Sequence, residues 1–263
     1  MIKQESIDEL IAQIPAIPAI LKSCENTLAS GDLAKAAAIA KNDLALVEYM
    51  RSIINKPIFG FKKEIKDISQ IFSALGADRT TDILYSYYVL LTTPKKWKIF
   101  NLDTQKFANL QANFMIDWGK ILKEIKVDNK DIFKSITIIP SSISVCEKIF
   151  SENAENLKHV LRTSGLSYNT ILKRELGFDI FEICCKIAEK WQLSNIVVDI
   201  FQNLSKQEEQ TTITKYIHLL ISYELSKPEF ANSGFGEMFE FNCNASPKEL
   251  ETFMKAIGYE TKN

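Results

Sequence analysis

Histidine is nearly absent from this chain: only His159 and His218 occur in 263 residues. Imidazole is the commonest protein ligand for zinc-class metals and the usual general base near neutral pH, so its scarcity bears on every enzymatic reading. Two isolated histidines cannot supply a pocket of three or more imidazoles, nor do they support a Ser-His-Asp arrangement. His159 stands in the polar run Asn156-Leu157-Lys158-His159-Val160, and His218 follows Tyr216-Ile217 in an amphipathic stretch. Both are expected at the surface or at the rim of a pocket.

Other absences narrow the field further. The nine glycines form no G-x-x-x-x-G-K-[ST] or G-x-G-x-x-G loop, and Gly234-Phe235-Gly236 lacks both a third glycine and a preceding strand. No G-x-S-x-G elbow is present. Nucleotide-binding and serine-hydrolase chemistries therefore have no carrier, and no cofactor is expected. The five cysteines, Cys24, Cys146, Cys184, Cys185 and Cys243, are scattered without a C-x-x-C pair, which excludes a zinc knuckle or a disulfide framework. Cys184 and Cys185 project about 100° apart on a helix, so one is expected in the core and one half-exposed. No apolar run approaches the ~18 residues of a bilayer span. Met1 to Glu9 is polar and acidic, unlike a secretory leader. A cytoplasmic address and no membrane partner are expected. Formal net charge is −1, so no general field attracts polyanions.

What remains reads as helix. The seven prolines and most glycines stand where helices start or stop. Ser6 with Glu9 forms a capping box for a short first helix, and Pro18 opens a second that carries Ile20, Leu21, Cys24 and Leu28 up to Gly31. Asp32 caps Leu33 to Lys41, and Asp43 caps a helix with Leu44, Val47, Met50 and Ile54 on its apolar face. Asp67 opens a helix that stops at Gly76, where a left-handed residue is expected. Asp78 then caps one carrying Ile83, Leu84, Tyr87, Tyr88 and Leu91 to Pro94.

The second half follows the same pattern. Thr104 is placed to cap a helix to about Lys126, and a short piece from Phe133 to Ile139 is cut by Pro140. Ser167 and Gly177 bracket one helix, Asp179 with Glu182 opens another ending near Trp191, and Ser194 opens the next. Ser205 with Glu208 starts a helix reaching Ser226. Residues 229–245 are the least regular, and Ser246-Pro247-Lys248-Glu249 caps a final helix ended by Gly258. Only Ser135 to Ile139 alternates as a strand does, and one segment makes no sheet. The fold class is all-α. Leu91 to Asp103, with Pro94 and a basic cluster, is the one candidate internal boundary, and two helical lobes sharing one core are expected.

Several of these residues carry a family resemblance. The proline pair Pro15 and Pro18, the step Asp43-Leu44-Ala45-Leu46, the helix end at Asn55, the turn Phe59-Gly60 and Leu75-Gly76 resemble the opening of the HD-related output domain (HDOD) of bacterial signalling proteins. Leu44 stands where that family usually has proline. Glu175-Leu176-Gly177-Phe178 and Trp191-x-Leu193 resemble its later elements, with Ser194 replacing a proline. The resemblance covers roughly residues 14–205, leaving 1–13 as an N-terminal helix and 206–263 as a C-terminal helical extension packed on it. It implies a multi-helix, HD-like bundle.

That family is similar to the HD phosphohydrolases, helical enzymes in which histidines and a His-Asp pair hold a divalent metal that activates water. Here Ile136-Thr137-Ile138-Ile139-Pro140 resembles the helix of the pair, and Ile139 and Pro140 fall on the His-Asp positions. The helix with an earlier histidine aligns near Ala108-Asn109-Leu110-Gln111, also without one. Asp117, Asp128 and Asp131, which could in principle serve a hard cation, read as caps and solvated faces. The resemblance implies a regulatory module without catalytic residues or metal, acting through regulatory protein partners and receiving its input in trans. Residual metal-dependent phosphohydrolysis is the alternative.

Two surface features are candidates for binding. Lys95-Lys96-Trp97-Lys98 joins three cations to an indole, a combination able to contact phosphate and stack on a base. On a chain of net charge −1 it reads first as a solvated loop with Trp97 tucked inward, so nucleic acid is only a third reading. Lys62, Lys63 and Lys66 form a smaller cluster. Phe230, Phe235, Phe239 and Phe241 are expected to pin the irregular stretch onto the body rather than await a partner.

Overall fold

The structure is a computed structural model that describes residue 9 and residues 11–12, 17–151, 154–206, 210–234, 239 and 243–259. Helices account for all regular secondary structure among the described residues, as the capping pattern requires. Two compact units emerge, Pro15–Leu91 and Thr92–Asn263 together with the segment Met1–Ile14. The division falls at the edge of the stretch that the basic cluster and Pro94 singled out.

In the smaller unit, α1 (Ala19–Ala29), α2 (Leu33–Ala40) and α3 (Leu44–Ile54) all pack on the long α4 (Ile68–Leu91). Ala36, Ala37 and Ala40 are fully buried, so α2 presents small side chains where α1 and α4 approach it. Asp32 and Asp43 cap as expected, accepting from Lys35 N and Leu46 N. The register of α3 differs at one point. Val47, Met50 and Ile54 are buried with Leu46 and Ile53, but Leu44 is 78% exposed. It occupies the first helical position, whose side chain points off the packed face. Leu91 is likewise 48% exposed rather than part of the core.

Asn55 closes the end of α3. Its side-chain amide donates to Arg51 O and Ile65 O, and its Oδ1 accepts from Ile65 N. The intervening 3-10 turn Pro57–Phe59 ends on left-handed Gly60. Gly76 adopts φ 75°, ψ 175°, which is extended and not left-handed helical. The helix breaks there and resumes at once, so Asp78 lies inside α4 rather than capping a separate helix. The freed Gly76 carbonyl accepts from the buried Thr80 hydroxyl at 2.6 Å.

The larger unit contains α5 (Thr104–Glu124), α6 (Lys130–Ser135), α7 (Ile138–Ser151), α8 (Ala154–Ser164), α9 (Tyr168–Leu176), α10 (Ile180–Lys190), α11 (Asn195–Lys206), α12 (Thr212–Ser226), α13 (Pro228–Ala231) and α14 (Pro247–Ala256). Here α10 packs against α7 and α11, while α5 packs against α12 and α14. The cap of α5 is Asp103, one residue before Thr104; its carboxylate accepts from Lys106 N. Pro140 does not end a helix. It sits in the first turn of α7, where no intrahelical donor is required. The strand-like alternation of Ser135 to Ile139 thus becomes the junction of two helices.

Asp179 ties three helices together. Its Oδ1 caps Glu182 N within the expected capping box, and its Oδ2 accepts from Ser205 Oγ at 2.7 Å. Asn169 on α9 supports the same corner by accepting from Ile180 N. Ser205 therefore belongs to the end of α11 and opens nothing. The next helix is capped by Thr211, which accepts from Thr214 N, and Glu208 lies outside the described residues. Ser167, Gly177 and Trp191 delimit their helices as read, and Ser246 with Glu249 completes the last capping box. The box proposed at Ser6 and the positions Pro15, Phe235 and Phe241 lie outside the described residues, whereas Phe230 and Phe239 are buried.

Candidate functional site

The helices that resemble the metal-holding elements of HD enzymes, α5 and α7, pack together in the larger unit. Ile139 and Pro140 are buried in the first turn of α7, and Leu110 and Gln111 are buried on α5. A hydrocarbon chain and a prolyl ring offer no lone pair to a cation, and Pro140 has no amide hydrogen either. The polar groups that α7 does bury are neutral hydroxyls and one carboxylate. Ser142 Oγ donates to Ile139 O, while Ser141 Oγ, Ser144 Oγ and Gln111 Oε1 find no hydrogen-bond partner among the described residues.

The carboxylate is Glu147, fully buried and already committed. It accepts from the backbone N–H groups of Lys98 (2.6 Å), Ile99 (3.2 Å) and Phe100 (3.0 Å). Three amides satisfy the anion and fix the path of the loop that enters α5. Burial pushes the Cys146 and Cys184 thiols up, away from the thiolate form that nucleophiles need. Cys185 is also buried rather than half-exposed, because α10 is covered by both α7 and α11. Burial holds its thiol at about 12. No group of three or more His, Cys, Asp or Glu able to hold a metal occurs among the described residues.

The structure brings the basic loop together only in part. Lys95, Lys96 and Lys98 are exposed, but Trp97 packs against Phe107 with ring centroids 5.2 Å apart. Its Nε1 is buried without a partner. The indole is thus engaged by the core and does not present a free face for stacking beside the lysines. Lys62, Lys63 and Lys66 are exposed on the smaller unit. Glu175 is exposed on α9, while Pro18, Asp43, Asn55, Gly60, Gly76, Gly177 and Trp191 delimit helices or their joints.

A charged cluster between α5 and α12 departs from expectation. Asp117, read from sequence as solvated, is 7% exposed, and Glu224 is fully buried. Lys120 Nζ donates to Asp117 Oδ1 at 2.6 Å, and Lys227 Nζ reaches both oxygens of Glu224 at 2.7 Å and Asp117 Oδ2 at 3.5 Å. Burial opposes ionisation of Asp117, but hydrogen bonds from Lys120 and Glu224 and the nearby ammonium charges hold its carboxyl below the usual range. Burial pushes Glu224 up to about 7; the Lys227 hydrogen bond opposes this, and the neighbouring Asp117 carboxyl adds to it. Lys227 Nζ also lies 4.6 Å from the centroid of the Tyr223 ring. Strongly perturbed carboxylates mark functional sites more often than average, although structural networks show the same signature. The sequence signal was the pair of i,i+3 spacings Asp117–Lys120 and Glu224–Lys227.

His218 corrects a second expectation. It is 1% exposed, with its ring edge-on to Phe181 at 5.5 Å and its Nε2 without a hydrogen-bond partner. The amphipathic pattern of α12 puts the histidine on the wet side, but the helix buries Ile217, His218 and Ile221 alike. Burial lowers its pKa to about 4, so the ring is neutral near pH 7. His159 is exposed on α8, as expected.

Comparison with known proteins accords with this architecture. An HDOD protein of unknown function from Geobacter sulfurreducens superposes with a TM-score of 0.61 at 12% identity, covering 97% of this chain and 90% of its own. A protein from Shewanella amazonensis SB2B, described as a candidate metal-dependent phosphohydrolase, superposes at 0.58 with 10% identity, covering 97% and 98%. At such identities the likeness establishes the fold alone. A comparison with curated proteins gives no match. The HDOD domain model matches residues 14–206, and the chain belongs to the HDOD domain family.

Proposed function

We propose that this chain is a non-enzymatic signalling module that acts through protein–protein contact. The observation that supports it is the chemistry of the α5–α7 face. The two positions resembling the His-Asp pair are buried Ile139 and Pro140, and the chain's two histidines lie elsewhere, one exposed on α8 and one buried on α12. A hydrolytic metal needs several converging imidazoles and carboxylates, and this face supplies neutral oxygens and a carboxylate saturated by amides.

The module is read as cytoplasmic, and among the described residues no helix is long and apolar enough to cross a membrane. Nucleic-acid binding through Lys95–Lys98 is disfavoured because Trp97 is packed on Phe107. The reading is tested on protein purified without chelator and dialysed against Mn²⁺, Fe²⁺ or Zn²⁺. Elemental analysis is expected to show metal well below one equivalent, with no turnover of phosphodiesters. One equivalent of bound metal accompanied by hydrolysis overturns it in favour of a phosphohydrolase.

A further inference from the structure

The last helix is held differently from the rest of the larger unit. Of the ten residues of α14, only Phe253 is buried, and Leu250 is 43% exposed. By contrast α10, of similar length, buries seven side chains. What fixes α14 is a short series of polar and aromatic contacts. Glu249 in its first turn pairs with Lys215 at 3.1 Å, and Lys255 in its last turn pairs with Glu124 at 2.6 Å. Between them the Phe253 ring meets Tyr223 edge-on at 6.0 Å, and the Tyr259 ring also meets Tyr223 edge-on at 6.4 Å.

The receiving groove is therefore polarised. Lys215 near the start of α12 faces the acidic first turn of α14, Tyr223 receives the aromatic anchor, and Glu124 at the end of α5 faces the basic last turn. An acidic N-terminal turn and a basic C-terminal turn also complement the dipole of the bound helix, so the groove selects one orientation. The Lys255–Glu124 pair is largely solvent-exposed, with Lys255 71% exposed, and contributes little to holding the helix. One buried ring and two ion pairs make a weak clamp.

We propose that α14 is a displaceable internal ligand, and that the α5–α12 groove beneath it is the docking site for an amphipathic helix of a partner protein. That helix carries the chemistry seen in Glu249, Phe253 and Lys255: an acid, an aromatic four positions later and a base two beyond that. The idea deepens the reading of the chain as a protein–protein module and rests on it. Release of α14 frees Tyr223, whose ring also lies against Lys227 of the buried charge cluster. Occupancy of the groove is thereby connected to the surroundings of Asp117 and Glu224.

The test uses the full chain. Hydrogen exchange of α14 amides is expected to be at least about tenfold faster than that of α5 and α12, as local opening demands. A fluorescein-labelled peptide of residues 245–259 is expected to bind the Phe253→Ala variant at least about tenfold, and the Lys255→Glu variant about threefold, more tightly than the unaltered chain, whose own helix competes. Placing Lys255→Glu in the peptide and Glu124→Lys in the Phe253→Ala chain is expected to restore binding that either change alone weakens. Amides of α14 as slow as those of α12, with no peptide bound by either variant, overturn the proposal. Reciprocal exchange of α14 between two copies, seen as a dimer that the peptide dissociates, also overturns it, since the occupant is then a second copy. These readouts involve neither metal nor turnover, so a phosphohydrolase result would sink the functional reading and leave the groove measurement standing.

Discussion

Asp117 on α5 and Glu224 on α12 converge on one ammonium, Lys227 Nζ, which lies 3.5 Å from Asp117 Oδ2 and 2.7 Å from both Glu224 oxygens, and the environment splits their acidities: Asp117 is pulled down while Glu224 rises to about 7. Two like carboxyls in contact favour a state with one proton between them, and Lys120 on the Asp117 side decides which keeps the charge.

This arrangement sets a pH signature. Glu224 ordinarily titrates near 4.5, so between that value and about 7 the folded chain holds a proton that the unfolded chain has lost. Its stabilising contribution is complete below 4.5 and is lost as pH rises through 7. His218, lowered from 6.5 to about 4, does the reverse: its contribution is present above 6.5 and is lost as pH falls through 4. The two slopes oppose each other from about pH 4.5 to 6.5. Glu224→Gln is expected to unmask a loss of about 2 kcal/mol on acidification, and His218→Leu a loss of similar size on raising the pH. Urea unfolding at half-unit pH steps measures both, and variants with the same pH profile as the parent refute the assignment.

Removing the central cation tests the same cluster differently. Lys227→Met leaves Glu224 fully buried without its ammonium partner, and a loss of about 3 kcal/mol is expected. The Glu224 carboxyl should then titrate above its present value, followed by carbon-detected NMR. Adding Glu224→Leu to that variant should recover most of the stability, because the orphaned carboxyl is gone.

Glu147 provides a third test. Glu147→Ala leaves the amides of Lys98, Ile99 and Phe100 without their acceptor in a buried site, costing about 3–5 kcal/mol. Glu147→Gln keeps an acceptor oxygen and is expected to lose less than half of that. Equal losses for the two, read from denaturant midpoints, would mean that the negative charge matters rather than the acceptor oxygen and volume that Gln retains.

At Gly76 the backbone lies at φ 75°, ψ 175°, and a Cβ there would meet no atom within 4 Å. The cost of Gly76→Ala is thus conformational, about 1–3 kcal/mol. A neutral substitution, measured by chemical denaturation, would show that α4 can continue unbroken through this point.

The helical class, most boundaries and the family were legible because caps are local. Asp32, Asp43, Asp179 and Ser246 bond to amides three residues away, a spacing visible in the chain itself. The errors at Ser205, His218 and Asp117 share a cause: they depend on what a side chain meets across space. Ser205 looks like a cap until Asp179 is known to sit beside it. His218 looks wet until Phe181 covers it. Glu147 gives no signal, since its three partners lie some fifty residues earlier, and Asp117 looks solvated because Glu224 and Lys227 are more than a hundred residues away in sequence.

The HDOD domain match stops at residue 206, yet Lys227, whose ammonium lies 3.5 Å from Asp117, and Glu224, which it also pairs with, stand beyond that edge. Truncation at that edge would leave Asp117 with Lys120 alone and bare the face of α5 that α12 covers. Such a shortened polypeptide would differ from the whole chain in acid–base character, and comparisons of relatives drawn only over the shared span would miss that difference.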